Sequence, residues 1–256
     1  FGIEELRLLT FPSEEMQDLH LFVDEGLLTW EETETGAYRM KRGAVFCFEK
    51  SSTISKYLAE KLVAAKVYPQ EFGSYLQEKY KGIMAGSNPM FPLDVINLDY
   101  DGNISKNPVH IGEVIELLFK FQEIHNKSFN LFLTWPQTKD EDTDEYIKWL
   151  KNTVRDNLSN PIAKPFKDLF DQSFQSIDSL HYEQLSIIGI TKHMVKVAAD
   201  HGYTIEKNEF YNYGEKGRRN MMSVLIYFKH IDNTKPSHQV YSEEIVKTLD
   251  AINVLS

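Results

Sequence analysis

The feature that most constrains the fold is an alternation of short β-prone runs with helical patterns. Apolar runs stand at residues 6–11, 44–48, 93–98 and 129–135, and each is followed by apolar residues at helical spacing. Short strands separated by helices pair in parallel, because each crossover returns the chain across the sheet. The pattern therefore predicts a doubly wound α/β core.

The end of the chain departs from this alternation. Apolar residues at helical spacing over 187–197 lead into two strand-like runs, 203–213 and 221–228, joined by a turn with Gly214 and Gly217. Two strands joined by a short glycine-bearing turn form an antiparallel hairpin. We therefore expect a mostly parallel sheet that ends in a helix and a hairpin.

Length and composition favour one ordinary globular unit. The chain has 256 residues and a formal net charge of −10, and we find no internal repeat or linker-like tract. We therefore expect a single domain over 1–256, with a helical insertion or lid over 136–182, where the connection is unusually long. The chain begins at Phe1 rather than Met, which indicates a fragment or a processed form.

Cysteine usage and hydrophobicity bear on the compartment. The single cysteine, Cys47, lies inside an apolar run and is typical of a small core residue in a reducing environment. No apolar stretch approaches the roughly 18 residues that a membrane span needs. We expect a cytoplasmic protein with no membrane partner.

Several reaction classes lack their motifs. The eight histidines are scattered without an H-E-x-x-H pair or a Cys/His cluster, so no metal site is predicted. The sequence also has no G-x-x-x-x-G-K-[ST] phosphate loop and no G-x-S-x-G nucleophile turn. Zinc enzymes, P-loop nucleotide hydrolases and serine hydrolases of that type are therefore disfavoured.

The predicted order of strands, with its final hairpin, resembles the class I S-adenosylmethionine (SAM)-dependent methyltransferases. In that family the last strand enters the sheet antiparallel, between two neighbours. The resemblance implies a seven-stranded sheet, SAM as the cofactor, and binding at the carboxyl ends of the strands. The chain departs from the family at the first strand end, where the usual glycine-rich turn is replaced by a segment that contains Pro12.

The resemblance places the cofactor at the ends of the first three strands. An acidic residue after the second strand, here Glu49, holds the ribose hydroxyls in the family. The residues that the resemblance assigns to the cofactor are Phe11, Pro12, Ser13, Glu49, Lys50, Glu71 and Phe72. Two alternatives stay open: Ser13 caps the following helix, and Glu49 forms a surface ion pair with Lys50 or Lys61.

The fourth strand end gives the candidate acceptor site. The string from Asn97 through Asp99 and Tyr100 is similar to the acceptor-binding loops of amine-modifying nucleic-acid methyltransferases and of transfer-RNA guanine dimethyltransferases. The resemblance makes Asn97, Asp99 and Tyr100 the catalytic candidates, with Tyr100 stacking on a flipped base. Neither similarity includes the prolines of those loops, and such strings also form ordinary turns.

Two functions follow as hypotheses. The first is a SAM-dependent methyltransferase that acts on a nucleic-acid base or a related acceptor. The second is a protein of the same fold that has lost the cofactor and serves as a binding or scaffolding subunit of a protein complex. This hypothesis is based on Pro12, which stands in place of the glycine-rich turn.

A local basic patch, Lys216, Arg218 and Arg219, is the candidate site for nucleic acid. The alternative is that these residues form an ordinary charged turn between two strands. The first hypothesis requires Glu49 and residues 97–100 to meet at one edge of one sheet.

Overall fold

The computed structural model describes residues 6–82, 88–100, 104–107, 109–136, 144–156, 158, 164–174, 176–213 and 221–231. The strands are β1 (Leu8–Thr10), β2 (Trp30–Glu32), β3 (Tyr38–Met40), β4 (Val45–Phe48), β5 (Leu62–Val63), β6 (Lys66–Tyr68), β7 (Val95–Asp99), β8 (Phe129–Pro136), β9 (Tyr203–Tyr213) and β10 (Met221–His230). The helices are α1 (Gln17–Asp24), α2 (Ser52–Lys61), α3 (Phe72–Gly82), α4 (Ile111–Glu123), α5 (Asp144–Arg155), α6 (Lys164–Ser173) and α7 (Tyr182–Asp200). Short 3-10 turns lie at Ile104–Lys106 and Ile177–Ser179.

Seven strands form the main sheet, in the order β6-β4-β1-β7-β8-β10-β9. The pairs from β6 through β8 are parallel, whereas β10 is antiparallel to both β8 and β9. β10 therefore lies between two strands that precede it in the chain. The predicted fold class, a doubly wound and mostly parallel seven-stranded sheet with an antiparallel hairpin and a helical insertion, is confirmed.

The alternation of side chains along the strands divides the core into two layers. Leu8 and Val45 pack on the face that α1 and α2 cover, whereas Leu9, Phe46 and Ile96 belong to the larger core on the opposite face. All five side chains are almost fully buried. Apolar residues on both faces explain why these strands appear in the sequence as continuous apolar runs.

A second, three-stranded sheet was not predicted. In it, β2 pairs antiparallel with β3, and β3 pairs parallel with β5. The apolar spacing of the sequence predicts a helix that continues through Leu62 to Ala65, and this prediction is wrong, because α2 ends at Lys61 and Leu62 belongs to β5. The chain reverses at Ala64, whose φ of 76° is incompatible with a right-handed helix.

The segment between β8 and α7 contains α5 and α6. Leu150 and Val154 of α5 are fully buried in the larger core. Gly189 of α7 permits the close approach of α5, since a Cβ there would lie 2.8 Å from Leu150 Cδ2. This part of 136–182 is thus integral to the core, while its action as a lid and the single-domain assignment of 1–256 stay predictions.

Lys192 ties the same two helices together through a buried charge. Its Nζ donates to the carbonyl oxygens of Thr153 at 2.6 Å and Val154 at 3.1 Å, and also to that of Asp156. These carbonyls lie at the carboxyl end of α5, which carries a partial negative charge. The lysine therefore caps α5 from α7.

Among the described helices, none has the length and apolarity to cross a membrane.

Candidate functional site

The candidate site lies at the carboxyl edge of the parallel strands, where β4, β1 and β7 end side by side. Thr10 is level with Cys47, and Leu9 is level with Ile96, so the three strands end together. Because β1 separates β4 from β7, the residues that follow these two strands lie about 10 Å apart, two strand spacings. Glu49 and the end of β7 therefore meet at one edge of one sheet, as the methyltransferase hypothesis requires.

The turn after β1 has an unusual backbone for its sequence. Pro12 is buried and Ser13 is exposed. Met16, the residue before α1, adopts φ 51° and ψ 33°, a left-handed conformation that costs a residue with a Cβ about 1–2 kcal/mol. The side chain of Ser13 does not cap α1, so that alternative is wrong. The turn keeps a backbone geometry that suits glycine, but a buried methionine side chain occupies the position.

Glu49 is held at the start of α2. Its Oε1 accepts a hydrogen bond from the amide of Ser51 at 2.6 Å, and its own amide donates to the Tyr68 carbonyl at 3.1 Å. Ser51 in turn caps α2 by accepting from the Ile54 amide at 3.4 Å. Glu49 is partly buried, whereas Lys50 is exposed. These bonds fix the position of the Glu49 carboxylate at the edge.

The alternative partner of Glu49, Lys61, is engaged elsewhere. Its ammonium donates to the carbonyl of Gly36 at 3.0 Å, near the small sheet. The structure gives Lys61 this role in place of an ion pair with Glu49.

Glu71 caps α3. Its Oε1 accepts from the Gly73 amide at 2.9 Å and its Oε2 from the Ser74 amide at 2.7 Å. A carboxylate at this position satisfies helix amides that have no partner within the helix. Glu71 and Phe72 therefore do not directly follow a strand, contrary to the sequence prediction, because β6 ends at Tyr68 and Phe72 begins α3.

Aromatic side chains fill the space between the ends of β1 and β7. The half-buried ring of Phe11 packs edge-on against Phe72, with centroids 6.0 Å apart, and against Tyr100, with centroids 5.4 Å apart. Phe72 is buried and also contacts Phe48. The Phe11 ring therefore occupies space between the ends of β1 and β7.

Tyr100 follows β7 and is 8% exposed. Its hydroxyl group is buried and has no hydrogen-bond partner among the residues that the structure describes. Burial, together with the charge of Glu71, raises the pKa of the Tyr100 phenol above its usual value. The group therefore stays protonated and is available as a hydrogen-bond donor.

Asn97 lies on the opposite face of β7. Its Nδ2 donates to Thr10 Oγ1 at 3.1 Å and to Asp18 Oδ2 at 3.4 Å, and the Thr10 hydroxyl donates to Asp18. We call these three residues the polar cluster. Asp99 shares the face of Asn97, two residues along the strand, and is exposed, whereas Tyr100 faces the larger core. The three catalytic candidates therefore do not form one group.

Sequence reasoning missed Thr10 and Asp18 as the partners of Asn97. One signal was present: Asn97 interrupts an otherwise apolar buried strand, and a polar side chain in such a place needs hydrogen-bond partners. The partners themselves come from β1 and α1, so only the packed sheet identifies them.

The described residues support neither a thiol nucleophile nor a metal site at this edge. Burial raises the pKa of the Cys47 thiol well above its usual value, so the thiol is inert, as the sequence indicated. Within the described ranges, no group of three His, Cys, Asp or Glu side chains could hold a metal ion. Lys216, Arg218 and Arg219, the predicted basic patch, lie outside the described residues.

A family model described as PP_RS20740-like matches residues 64–248, more than half of the sequence. The chain belongs to this family. The match of this PP_RS20740-like protein begins after β5, so it includes Glu71 and residues 97–100 but not Glu49 or the turn after β1. Comparison with curated proteins gives no match.

Solved structures similar to this PP_RS20740-like protein include a SAM-dependent methyltransferase from Methanosarcina mazei, at 9% identity and a TM-score of 0.41 over 90% of this chain and 95% of that one. A 16S ribosomal RNA adenine methyltransferase from Catenulisporales acidiphilia is 8% identical, with a TM-score of 0.42 over 91% and 89%. A candidate hemolysin from Streptococcus thermophilus is 9% identical, with a TM-score of 0.42 over 100% and 70%. Similarity at this level describes the fold only.

Proposed function

We propose that this protein binds SAM at the carboxyl edge of its sheet and transfers the methyl group to a nucleic-acid base or a related acceptor. The observation that carries the proposal is the sheet itself. The last of the described strands, β10, lies antiparallel between β8 and β9, and an acidic residue, Glu49, directly follows the second strand of the main sheet. Both features belong to the resemblance that the sequence suggested.

Glu49 is the residue best suited to the adenosine end of the cofactor. A carboxylate has two oxygens and accepts several hydrogen bonds, so the bond from Ser51 to Oε1 leaves capacity for ribose hydroxyls. The capping bonds around α2 hold the carboxylate in place before a ligand arrives, which lowers the entropy cost of binding. The residues at this end fit an adenosine.

The methionine end fits only after a rearrangement. Pro12 has no amide to donate, and the Phe11 ring packs against Tyr100 and Phe72. Phe11 is half-buried and lies beyond the end of β1, so rotation of its side chain would vacate the space. SAM binding in this proposal therefore displaces Phe11.

The bound cofactor would supply a methyl group on a positively charged sulfur, which needs an aligned acceptor more than acid or base assistance. Tyr100 is the residue best placed to align it, because its hydroxyl has no hydrogen-bond partner among the described residues and its ring packs against Phe11. Asp99 is exposed at the same edge and would contact the acceptor from the other face. We assign Asn97 to the support of the edge rather than to the acceptor.

A second candidate function, a cofactor-free binding or scaffolding subunit, is favoured by one specific observation. Phe11, Phe72 and Tyr100 already fill the space with edge-to-face contacts, which contribute about 0.5–1.5 kcal/mol per pair beyond burial. A protein that no longer binds SAM has no need to keep this space open.

Transfer of labelled methyl groups from SAM to short RNA and DNA of mixed sequence tests the proposal. We expect label on one of the two nucleic acids, and less label with Tyr100→Phe, a variant that retains the ring but lacks the hydroxyl. Absence of label, together with absence of S-adenosylhomocysteine (SAH) binding, would favour the scaffolding function.

A further inference from the structure

A second cavity lies at the opposite edge of the sheet, where the parallel strands begin. It has a volume of about 340 Å³ and is lined by Arg7, Lys41, Arg42, Gly43 and Ala44. Three of these five residues carry a positive charge, in a protein whose formal net charge is −10. The cavity is therefore a local concentration of cations on an acidic molecule.

Arg7 is built into the wall of this cavity. Its Nη2 donates to the carbonyls of Pro89 at 2.7 Å and Met90 at 3.0 Å, and its guanidinium lies 5.5 Å from the centroid of the Phe46 ring. Carbonyl oxygens orient the guanidinium but do not neutralise it. The Nε atom is buried, and no described residue accepts a hydrogen bond from it. Arg7 therefore holds a fixed charge with unused donor capacity.

One carboxylate, Asp94, lies near Arg7, and its charge acts on the guanidinium. Its Oδ1 pairs with Lys127 at 2.7 Å, and its Oδ2 accepts from the backbone amide of Arg7 at 2.9 Å. The positive charge of Arg7 also acts on His125. Burial and this charge lower the pKa of the His125 imidazole. Asp94 therefore interacts with two cations, Arg7 and Lys127, and one carboxylate does not neutralise both.

The opposite wall is a rigid turn. The amide of Ala44 donates to the Lys41 carbonyl at 3.2 Å, and the Ala44 carbonyl accepts from the Leu8 amide at 2.8 Å. Gly43 has φ +86°, a conformation that suits glycine, and the residue before it, the exposed Arg42, also lines the cavity. The turn therefore presents cations against β1 without depending on a mobile loop.

We propose that this cavity binds the phosphate group of a small phosphorylated ligand. A guanidinium is a planar fork of N–H donors that binds two oxygens of one phosphate, and two guanidinium groups balance the double negative charge of a phosphate monoester. The volume is at the lower end of the roughly 300–1,000 Å³ range of small-molecule sites, which favours a compact ligand over a polymer backbone. The site is separate from the carboxyl edge, so the proposal does not depend on methyl transfer.

Calorimetry with inorganic phosphate and with adenosine monophosphate, at about 0.15 M salt to screen weak surface attraction, tests the site. We expect both to bind, and adenosine, which lacks the phosphate, not to bind. Arg42→Gln should weaken binding by about tenfold or more, since a charged hydrogen bond contributes about 1.5–3 kcal/mol. The matched control is Arg39→Gln, because Arg39 is exposed on β3 and does not line the cavity.

The outcomes separate the sources of the phosphate. Equal affinity for both ligands would indicate recognition of the phosphate alone, and tighter binding of the nucleotide would indicate a nucleotide-like ligand; each supports the site. Absence of binding, equal affinity in the Arg42→Gln variant, or competition by SAH or adenosine would overturn it. SAH competition would place the ligand at the carboxyl edge, so this result is distinguishable from failure of the proposed function.

Discussion

Asn97 of β7 donates a hydrogen bond to the hydroxyl of Thr10 of β1, over 3.1 Å, directly beneath α1. The Thr10 hydroxyl in turn donates a hydrogen bond to Asp18 in the first turn of that helix. Two central strands and the helix that follows the first of them are thus fixed to one another by side chains at the edge where the candidate site lies. The arrangement indicates that Asn97 positions the site rather than contacts an acceptor.

We predict that Asn97→Ala lowers the free energy of unfolding by about 1–3 kcal/mol, because a buried polar group loses its partner. Urea denaturation measures the effect. Asn130→Ala is the control, since Asn130 is a partly buried asparagine of β8 outside the polar cluster. An Asn97→Ala protein of unchanged stability would refute the positioning role.

Phe11→Ala tests whether the aromatic packing obstructs the cofactor. Under the proposed function, this variant binds SAH more tightly than the original protein, because no ring has to be displaced, although it is less stable. The control is Phe174→Ala, a partly buried phenylalanine beyond α6 that packs against Phe170. Weaker SAH binding by Phe11→Ala would contradict the account of an obstructing ring.

Lys192 gives a prediction about the insertion. Lys192→Met keeps the length of the side chain but removes all three donors to the end of α5, so we expect a loss of about 1–3 kcal/mol or more in the free energy of unfolding. Lys196→Met, at an exposed position of the same helix, should change stability little. Equal stability of the two variants would mean that the cap does not hold α5 to α7.

The histidines between α4, α5 and α7 predict a dependence of stability on pH. His193 Nε2 donates to the Gly112 carbonyl at 3.0 Å, while His110 Nδ1 accepts from the Gly112 amide at 3.1 Å. Burial lowers the pKa of both imidazoles below the usual 6.5, so the folded state binds fewer protons than the unfolded state just below that pH.

Stability from these two histidines is therefore present above pH 6.5 and is lost as the pH falls through their lowered pKa values. Denaturation at several pH values between about 5 and 8 measures the loss. The slope should be smaller in His193→Gln, which keeps a donor for Gly112. A slope unchanged by the substitution would assign the acid sensitivity to other groups.

The parallel part of the sheet was predictable because strands such as β1 and β4 are buried on both faces and therefore stand out as apolar runs. The hairpin at 203–213 and 221–228 was predictable from the glycines between two strand-like runs. The strand β5 was not, because Leu62 continues the apolar spacing of α2 and only its pairing with β3 decides otherwise. At Leu62 the local sequence pattern favours a helix, whereas pairing with β3 stabilises a strand, and the strand forms.

The candidate site was predictable only to the level of its edge. Strand ends indicated where Glu49 and Tyr100 lie, since the carboxyl ends of parallel strands converge. The sequence did not show that Asn97 and Tyr100, which lie on opposite faces of the sheet, have different surroundings. Nor did it show that the Glu71 carboxylate accepts hydrogen bonds from the amides of α3. These facts depend on packing between elements that are distant in the sequence.

Calorimetric titration with SAH of the original protein, Glu49→Gln and Glu31→Gln tests the central claim most directly. Glu31 is an exposed glutamate on β2, which belongs to the small sheet and not to the main one, and serves as the matched control. The account predicts one SAH site in the original protein and in Glu31→Gln, and affinity lower by about tenfold or more in Glu49→Gln, because a carboxylate is a stronger acceptor than an amide. No binding to the original protein at millimolar SAH, or equal binding by all three, would contradict it.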